Sequence, residues 1–354
     1  MKRMDYFSFQ DWRIDRRSFL KLSGLLGAGL ASAAIMPARA ETVRFTSRLY
    51  KVSRTRLAMG TFVSMTLIHT SRDKAEEAMA LAFEEIDRLT GLMNRFDEGT
   101  AVAQLNREGF LKGIPPEVAE VVDRALTYNR ISHGTFDISV KPVVDLFKEK
   151  LARGRNTPPT DTELKEVLHR VGSDEIELHG SVIRFRKPGM GITLDGIAKG
   201  YIVDEASRIL VEHDIESHLI NAGGDIRARG VRKDKRPWTV AIQDPQKKRA
   251  YPDIIHLTDA AVATSGNYEV YFDHEKMFHH IVDPRTGLSP YGSTSVSVTA
   301  PTTMEADALS TSVFVMNPSR GTRFINSLPQ CESLVITRRN TKVTSSGWKS
   351  ADFL

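Results

Sequence analysis

The sequence predicts an α+β fold on three observations. Helical spacing of apolar residues dominates the first half of the chain and returns near its end, β-like runs crowd residues 218–299, and no regular β-α-β alternation links the two. At 354 residues the chain can bury one large core or two packed ones, and 41% hydrophobic with 26% charged residues excludes a disordered or membrane-embedded class.

Residues 1–40 read as an export leader. Asp15-Arg16-Arg17-Ser18-Phe19-Leu20-Lys21 precedes an apolar run from Leu22 to Met36, followed by Ala38-Arg39-Ala40. Paired arginines ahead of a Gly- and Ala-rich segment point to the twin-arginine translocation machinery, with cleavage near Ala40 and a soluble periplasmic product over residues 41–354. The apolar run is about fifteen residues long, short of the roughly twenty that a spanning helix needs. No cysteine lies near Ala40 to carry lipid. The leader holds seven Lys or Arg against three Asp or Glu, so the formal +5 of the whole chain becomes about +1 afterwards, which argues against a nucleic-acid partner. Cys331 is the single cysteine, so an intramolecular disulfide and a thiolate metal cluster are both excluded.

In the mature region, Leu57 to Ile68 alternates as a strand interrupted at Gly60. Ala78, Leu81, Ala82, Ile86 and Leu89 mark a first helix that Ser71 or Asp73 would cap, and Pro115-Pro116 opens a second over Glu117 to Ile131. Gly154 to Thr160 reads as a loop, Asp161 to His169 as a short helix, and Glu175 to Leu178 with Val182 to Arg186 as paired strands. A long helix is expected from Ala198 to His213. Strands follow at His218 to Asn221, Ile226 to Gly230, Trp238 to Gln243, Ile254 to Leu257, Ala261 to Thr264, Glu269 to Phe272, His279 to Val282 and Thr294 to Thr299, then helices at Thr303 to Met316 and Ser319 to Ser327.

Several polar islands interrupt these patterns. Leu194-Asp195-Gly196-Ile197-Ala198-Lys199-Gly200-Tyr201 runs from an expected strand end into a helix start, where exposed amides and Lys199 suit a pyrophosphate, although a glycine-bearing helix start after a strand is more often structural alone. Asn221-Ala222-Gly223-Gly224-Asp225 is a glycine turn, which alone usually does no more than reverse the chain. Asp307 and Thr311 lie four apart on one helix face, which reads equally as half of a hard-cation site or as an exposed Asp beside a back-bonded Thr. His280 stands beside Asp283 and could move a proton, while adjacent His279 must face the other way in a strand. Phe96 and Phe136 could each cover an aromatic ring system, though single phenylalanines are usually core.

In this order the islands resemble the ApbE family of FAD:protein FMN transferases. The resemblance runs from Ala58-Met59-Gly60-Thr61 through Asn94-Arg95-Phe96, Gly134 to Asp137, Asp195 to Tyr201, Asn221 to Asp225, Thr264 to Tyr268 and His280 to Gly287, and ends at Asp307 to Thr311. It implies mixed or antiparallel sheets with helices packed around a central FAD cleft. It also implies Mg²⁺-assisted attack by an acceptor hydroxyl on the FMN phosphorus of FAD, with departure of AMP. Met59, Phe96, Thr135, Phe136, Asp137 and Lys199 would line the FAD site, with Ile281 in contact through its backbone. Asp307, Thr311 and the Gly196 carbonyl would hold the metal, and His280 would assist proton transfer.

This chain departs from the family at one place, carrying Thr193-Leu194-Asp195-Gly196 where many members have Asp-Leu-Gly-Gly. Strand geometry would keep Thr193 and Asp195 on one side, so that Asp195 replaces the missing contact. The leader and this variant motif look most like an exported branch similar to NosX. The acceptor would then be a membrane flavoprotein with a periplasmic FMN domain, NosR-like or a subunit of an ion-pumping reductase. Two other readings stand beside transfer. An FAD pyrophosphatase would use water in place of the acceptor, and a non-catalytic FAD-binding protein would not need Asp307 and Thr311.

Overall fold

The computed structural model describes residues 41–46, 49–151, 157–232, 234–246, 251–267, 279 and 281–351. The leader, His280 and the strand expected over Glu269 to Phe272 lie outside them. Clustering of contacts separates Met1–Ala38 from Arg39–Leu354, and only the second unit is described below.

The described residues open with an antiparallel meander of β1 (Glu41–Thr46), β2 (Leu49–Ala58) and β3 (Thr61–His69). Along β3, Val63, Met65 and Leu67 are fully buried at alternate positions, the signature of a sheet with one face on the core. The expected single strand over Leu57 to Ile68 is instead a hairpin. Ala58 pairs with Thr61, and Met59 and Gly60 both take positive φ, 51° and 71°, the two-residue turn that matches strand twist. Methionine seldom adopts that conformation, which hides the turn from a sequence reading.

Helix α1 (Arg72–Met93) follows, with Ser71 as its cap: the Ser71 hydroxyl accepts from the Lys74 amide. Then come α2 (Ala101–Glu108), β4 (Phe110–Lys112), α3 (Pro116–Ile131) and α4 (Lys141–Leu151). Helix α5 (Asp161–Leu168) starts at a capping box between Thr160 and Glu163. Strands β5 (Ile176–His179) and β6 (Val182–Phe185) pair as expected and join β4 in a three-stranded sheet.

The segment before α6 (Ala198–Glu212) is irregular where a strand end was expected. Asn106 takes the place of a neighbouring strand: its side chain accepts from the Ile192 amide at 2.6 Å and donates to the Ile192 carbonyl at 3.0 Å. Thr193 is consequently buried and Asp195 exposed, so the two do not share a side as a strand would require.

Next are β7 (Ser217–Ala222), β8 (Asp225–Arg229), β9 (Trp238–Ile242), β10 (Asp253–Leu257), β11 (Ala260–Gly266) and β12 (Ser293–Ala300). The chain ends with α7 (Thr303–Val315), α8 (Pro318–Asn326), β13 (Glu332–Thr337) and β14 (Lys342–Thr344). Of the strand expected over His279 to Val282, the described residues Ile281 and Val282 are not in a strand. His279 makes one isolated pairing, and residues 281–283 run into a turn in which the Asp283 carbonyl accepts from Gly287, Pro284 having no amide to continue a ladder.

One sheet of order β1-β2-β3-β7-β8-β11-β12-β13-β14 organises the molecule, antiparallel at every pairing. Helices α1, α6 and α7 cover one face over the main core. The β9–β10 hairpin covers part of the other, setting Trp238, Val240, Ile242, Ile255 and Leu257 against Ile226, Val262 and Leu334. Helix α7 is buried on nearly all sides, between the sheet and α6. The Met59–Gly60 turn, the β7–β8 turn, the C-terminal end of β11 and the start of β12 all lie at one end of this sheet, as the pairing registers require.

Candidate active site

The close approach of α6 and α7 sets the site. A side chain at Gly200 would meet the Thr303 carbonyl at 2.5 Å and Met304 Cα at 2.6 Å, so glycine is what lets the two backbones touch. Asp204, one turn on, accepts from the Thr303 and Met304 amides at 2.9 and 2.8 Å and satisfies the start of α7. The Gly200 amide in turn donates to Asp307 Oδ2 at 3.2 Å, fastening the middle of α7 to the first turn of α6.

Asp307 is 6% exposed. Thr311, one turn further on, has its hydroxyl 3.2 Å from Ser265 Oγ on β11, which also meets Ser310 Oγ at 2.8 Å. A Cβ on Gly196 would stand 3.1 Å from Thr311 Oγ1 and 3.4 Å from Phe136 Cε2, so both Thr311 and the Phe136 ring lie close to the Gly196 backbone. Gly196, Lys199, Asp307 and Thr311 thus lie near one another in the structure.

Asp225 was not singled out from the sequence, and it belongs to this group. It is 1% exposed, and its carboxylate lies 3.1 Å from Lys199 Nζ. Burial raises the pKa of both carboxyls, and the charge of Asp225 raises that of Asp307 further. A signal was present: Asp is depleted in strands, yet this one opens a strand directly after Gly223-Gly224.

The donors present fit a hard cation: a buried carboxylate, a hydroxyl and a backbone segment without a side chain, at the start of a helix carrying a lysine. Among the described residues no group of three or more His, Cys, Asp or Glu could hold a metal ion.

The other predicted residues surround this centre or stand apart from it. The Met59 turn neighbours the Gly223–Gly224 turn, where a Cβ on Gly223 would strike Thr61 Oγ1 at 2.4 Å. Phe136 is buried, edge-on to Tyr128 with ring centroids 6.3 Å apart, and supports Gly196 from beneath. Thr135 is buried, and its hydroxyl donates to the Ser132 carbonyl. Asp137 is engaged within the fold: it accepts from the amides and hydroxyls of both Ser139 and Ser173 and from Asn129 Nδ2. Ile281 is buried in the main core. His279 turns inward, edge-on to Phe314 at 5.5 Å. Phe96 and Asp195 form a separate cluster around Arg95, whose Nη2 lies 3.1 Å from Asp195 Oδ2 and whose Cζ lies 4.3 Å from the centre of the Phe96 ring. Asp195 therefore pairs with Arg95 and not with Asp307 or Thr311.

The sequence profile described as the ApbE family matches residues 59–335. The chain is 32% identical over 247 residues to the FAD:protein FMN transferase of Vibrio cholerae, covering 67% of this chain and 74% of that one. It is also 32% identical over 241 residues to the Haemophilus influenzae protein of the same name, covering 66% and 70%. The fold is similar to the crystal structure of the ApbE protein of Thermotoga maritima, with a TM-score of 0.76 and 28% identity over 84% of this chain and 97% of that one. On the profile match, the curated relatives and the shared fold together, the chain belongs to the ApbE family.

Proposed function

We propose that the chain is a Mg²⁺-dependent FAD:protein FMN transferase. The observation that carries this reading is the convergence of Gly196, Lys199, Asp225, Asp307 and Thr311 at the joint between α6 and α7. The names of the relatives in Vibrio cholerae and Haemophilus influenzae support the same reading. Asp307, Thr311 and the Gly196 carbonyl would hold the metal. When bound, Mg²⁺ neutralises pyrophosphate oxygens and stabilises the charge that grows on departing AMP.

The residues themselves bind and orient. Lys199, at the start of α6, draws the pyrophosphate to the helix N-terminus. Met59, Phe96, Thr135, Phe136, Asp137, Thr193, Asp195 and Ile281 line or support the rest of the FAD site, and His280 serves the proton transfer. A serine or threonine hydroxyl of the acceptor attacks the FMN phosphorus. A phosphoester forms, the phosphoanhydride bond to AMP breaks, and the hydroxyl proton is taken up as AMP leaves. The leader places the reaction in the periplasm after twin-arginine export, with a periplasmic FMN domain, NosR-like or of an ion-pumping reductase, as acceptor.

The test incubates the mature protein with FAD, Mg²⁺ and such a domain, and looks for flavin fluorescence on the acceptor after denaturing electrophoresis. Labelling that needs both the metal and an intact Asp307, judged by an Asp307→Ala control, is the expected result. Accumulation of AMP and free FMN across several acceptors without label would replace transfer by pyrophosphatase activity, and FAD that stays whole would leave a binding protein.

A further inference from the structure

We propose that Asp195, together with Arg95, is a positioning residue that seats the Phe96 ring for FAD, and that the carboxylate this chain carries beside Gly196 is not a metal ligand. The inference rests on the flavin reading above and concerns the place where the chain departs from its family.

Phe96 lies just beyond α1 and is 69% exposed, an unusual position for a large apolar ring that no core requires. It does not stand free. The Arg95 guanidinium is stacked on it at 4.3 Å, and Lys148 Nζ lies 4.8 Å from the ring centre. Its backbone amide donates to Asn94 Oδ1 at 3.0 Å, and the Asn94 carbonyl accepts from the Thr100 hydroxyl at 2.8 Å, so the turn beneath the ring is fixed as well.

Arg95 is what the ring rests on. Its side chain is 5% exposed and spans two carboxylates from different parts of the chain, Asp195 Oδ2 at 3.1 Å from Nη2 and Asp145 Oδ1 on α4 at 3.5 Å from Nη1. Asp145 is held in turn by Lys141 at 2.5 Å. A planar guanidinium with two carboxylates along its edges has one orientation left, and that orientation presents a flat face to Phe96. Asp195 itself points outward with a half-exposed side chain and makes its ion pair there. One residue on, Gly196 touches Thr311. The same short loop thus reaches the cation donors on one side and, through Arg95, the aromatic platform on the other. A planar heteroaromatic ring of FAD laid on Phe96 would meet a surface already oriented, with little side-chain freedom left to lose.

The experiment measures FAD affinity by calorimetry at saturating Mg²⁺, and the Mg²⁺ requirement at saturating FAD, for Asp195→Asn, Arg95→Met, Phe96→Ala and the Asp195→Asn/Phe96→Ala double variant. Asp195 is exposed enough that its substitution leaves the fold intact, which thermal unfolding checks. Each single variant is expected to weaken FAD binding by about tenfold, with the double variant no weaker than Phe96→Ala alone. The Mg²⁺ requirement of Asp195→Asn should match the wild type, while Asp307→Asn raises it. Arg95→Lys should fail to restore binding, since one ammonium cannot hold both carboxylates and the ring. Additive losses in the double variant overturn the proposal, as does a raised Mg²⁺ requirement in Asp195→Asn or unchanged FAD affinity. A wild-type protein that binds no FAD would remove the flavin reading itself, and that result is distinguishable because it appears before any variant is made.

Discussion

Asp225 and Asp307 are two buried carboxylates, the first of them paired with Lys199. Two like charges this close in a site of low dielectric oppose folding, and the arrangement is sensible only where a cation or a charged substrate completes it. Asp225→Asn separates the two demands. The amide keeps the size and shape of the carboxyl but carries no charge, so it relieves the repulsion with Asp307 and no longer pairs with Lys199. The metal-free variant is therefore expected to unfold at a temperature equal to or above that of the wild type, while FMN transfer falls by at least about tenfold. Thermal scans in a chelator and the gel assay report the two effects separately, and a clear drop in thermal midpoint would show Asp225 to be simply core. At this scale the sequence was readable wherever a residue type carries its chemistry openly. Asp307 and Thr311 declare themselves by spacing, and Lys199 by its helix start. Asp225 was hidden by a turn whose glycines already account for its presence, and Asp195 was misplaced because the irregular backbone held by Asn106 looks like a strand in one dimension.

Helices α6 and α7 are the elements on which the site depends, and glycine governs their separation. Gly200→Ala would drive a methyl group into the Thr303 carbonyl and the Met304 backbone, neither of which can swing aside as a side-chain end could. The helices must part, loosening both Asp204 from the start of α7 and Asp307 from the Gly200 amide. A loss of at least about 2 kcal/mol of stability is expected from overpacking at such a contact, with FAD affinity falling in parallel. Urea midpoints and calorimetry check the two together. These helices were legible from periodicity and caps, as were α1, α3 and the hairpin of β5 and β6. Strands β13 and β14 and helices α2 and α4 were not, the shorter ones because one or two turns carry too little pattern to stand out. The edge strands join the sheet through pairing with distant segments, which no local window reports.

For the molecule as a whole, stability should depend on pH through a group away from the site. His218 on β7 is buried, with Nδ1 donating to the Ile215 carbonyl at 2.9 Å and Nε2 accepting from the Ser207 hydroxyl on α6 at 2.7 Å. That is the neutral ring, and burial lowers its pKa from 6.5 to about 4. The unfolded chain takes up the proton that the folded protein refuses, so this stabilisation is complete above about pH 6.5 and declines as pH falls towards 4, by up to about 3 kcal/mol. Urea midpoints between pH 4 and 7 should slope accordingly, and His218→Gln should flatten that slope; an unchanged slope would place the titration elsewhere.

The order of the large sheet bears on time as well as on shape. Strand β3 finds its neighbour in β7 only after α1 to α6 have been made, and β8 must wait for β11. Pairings of such wide sequence separation close slowly. The Met59 turn, Asp225 and Ser265 are brought to one end of the sheet by those pairings, so a half-folded chain lacks the complete pocket. Affinity for flavin should therefore arrive late and all at once, which makes the ligand a clock for the last step of folding.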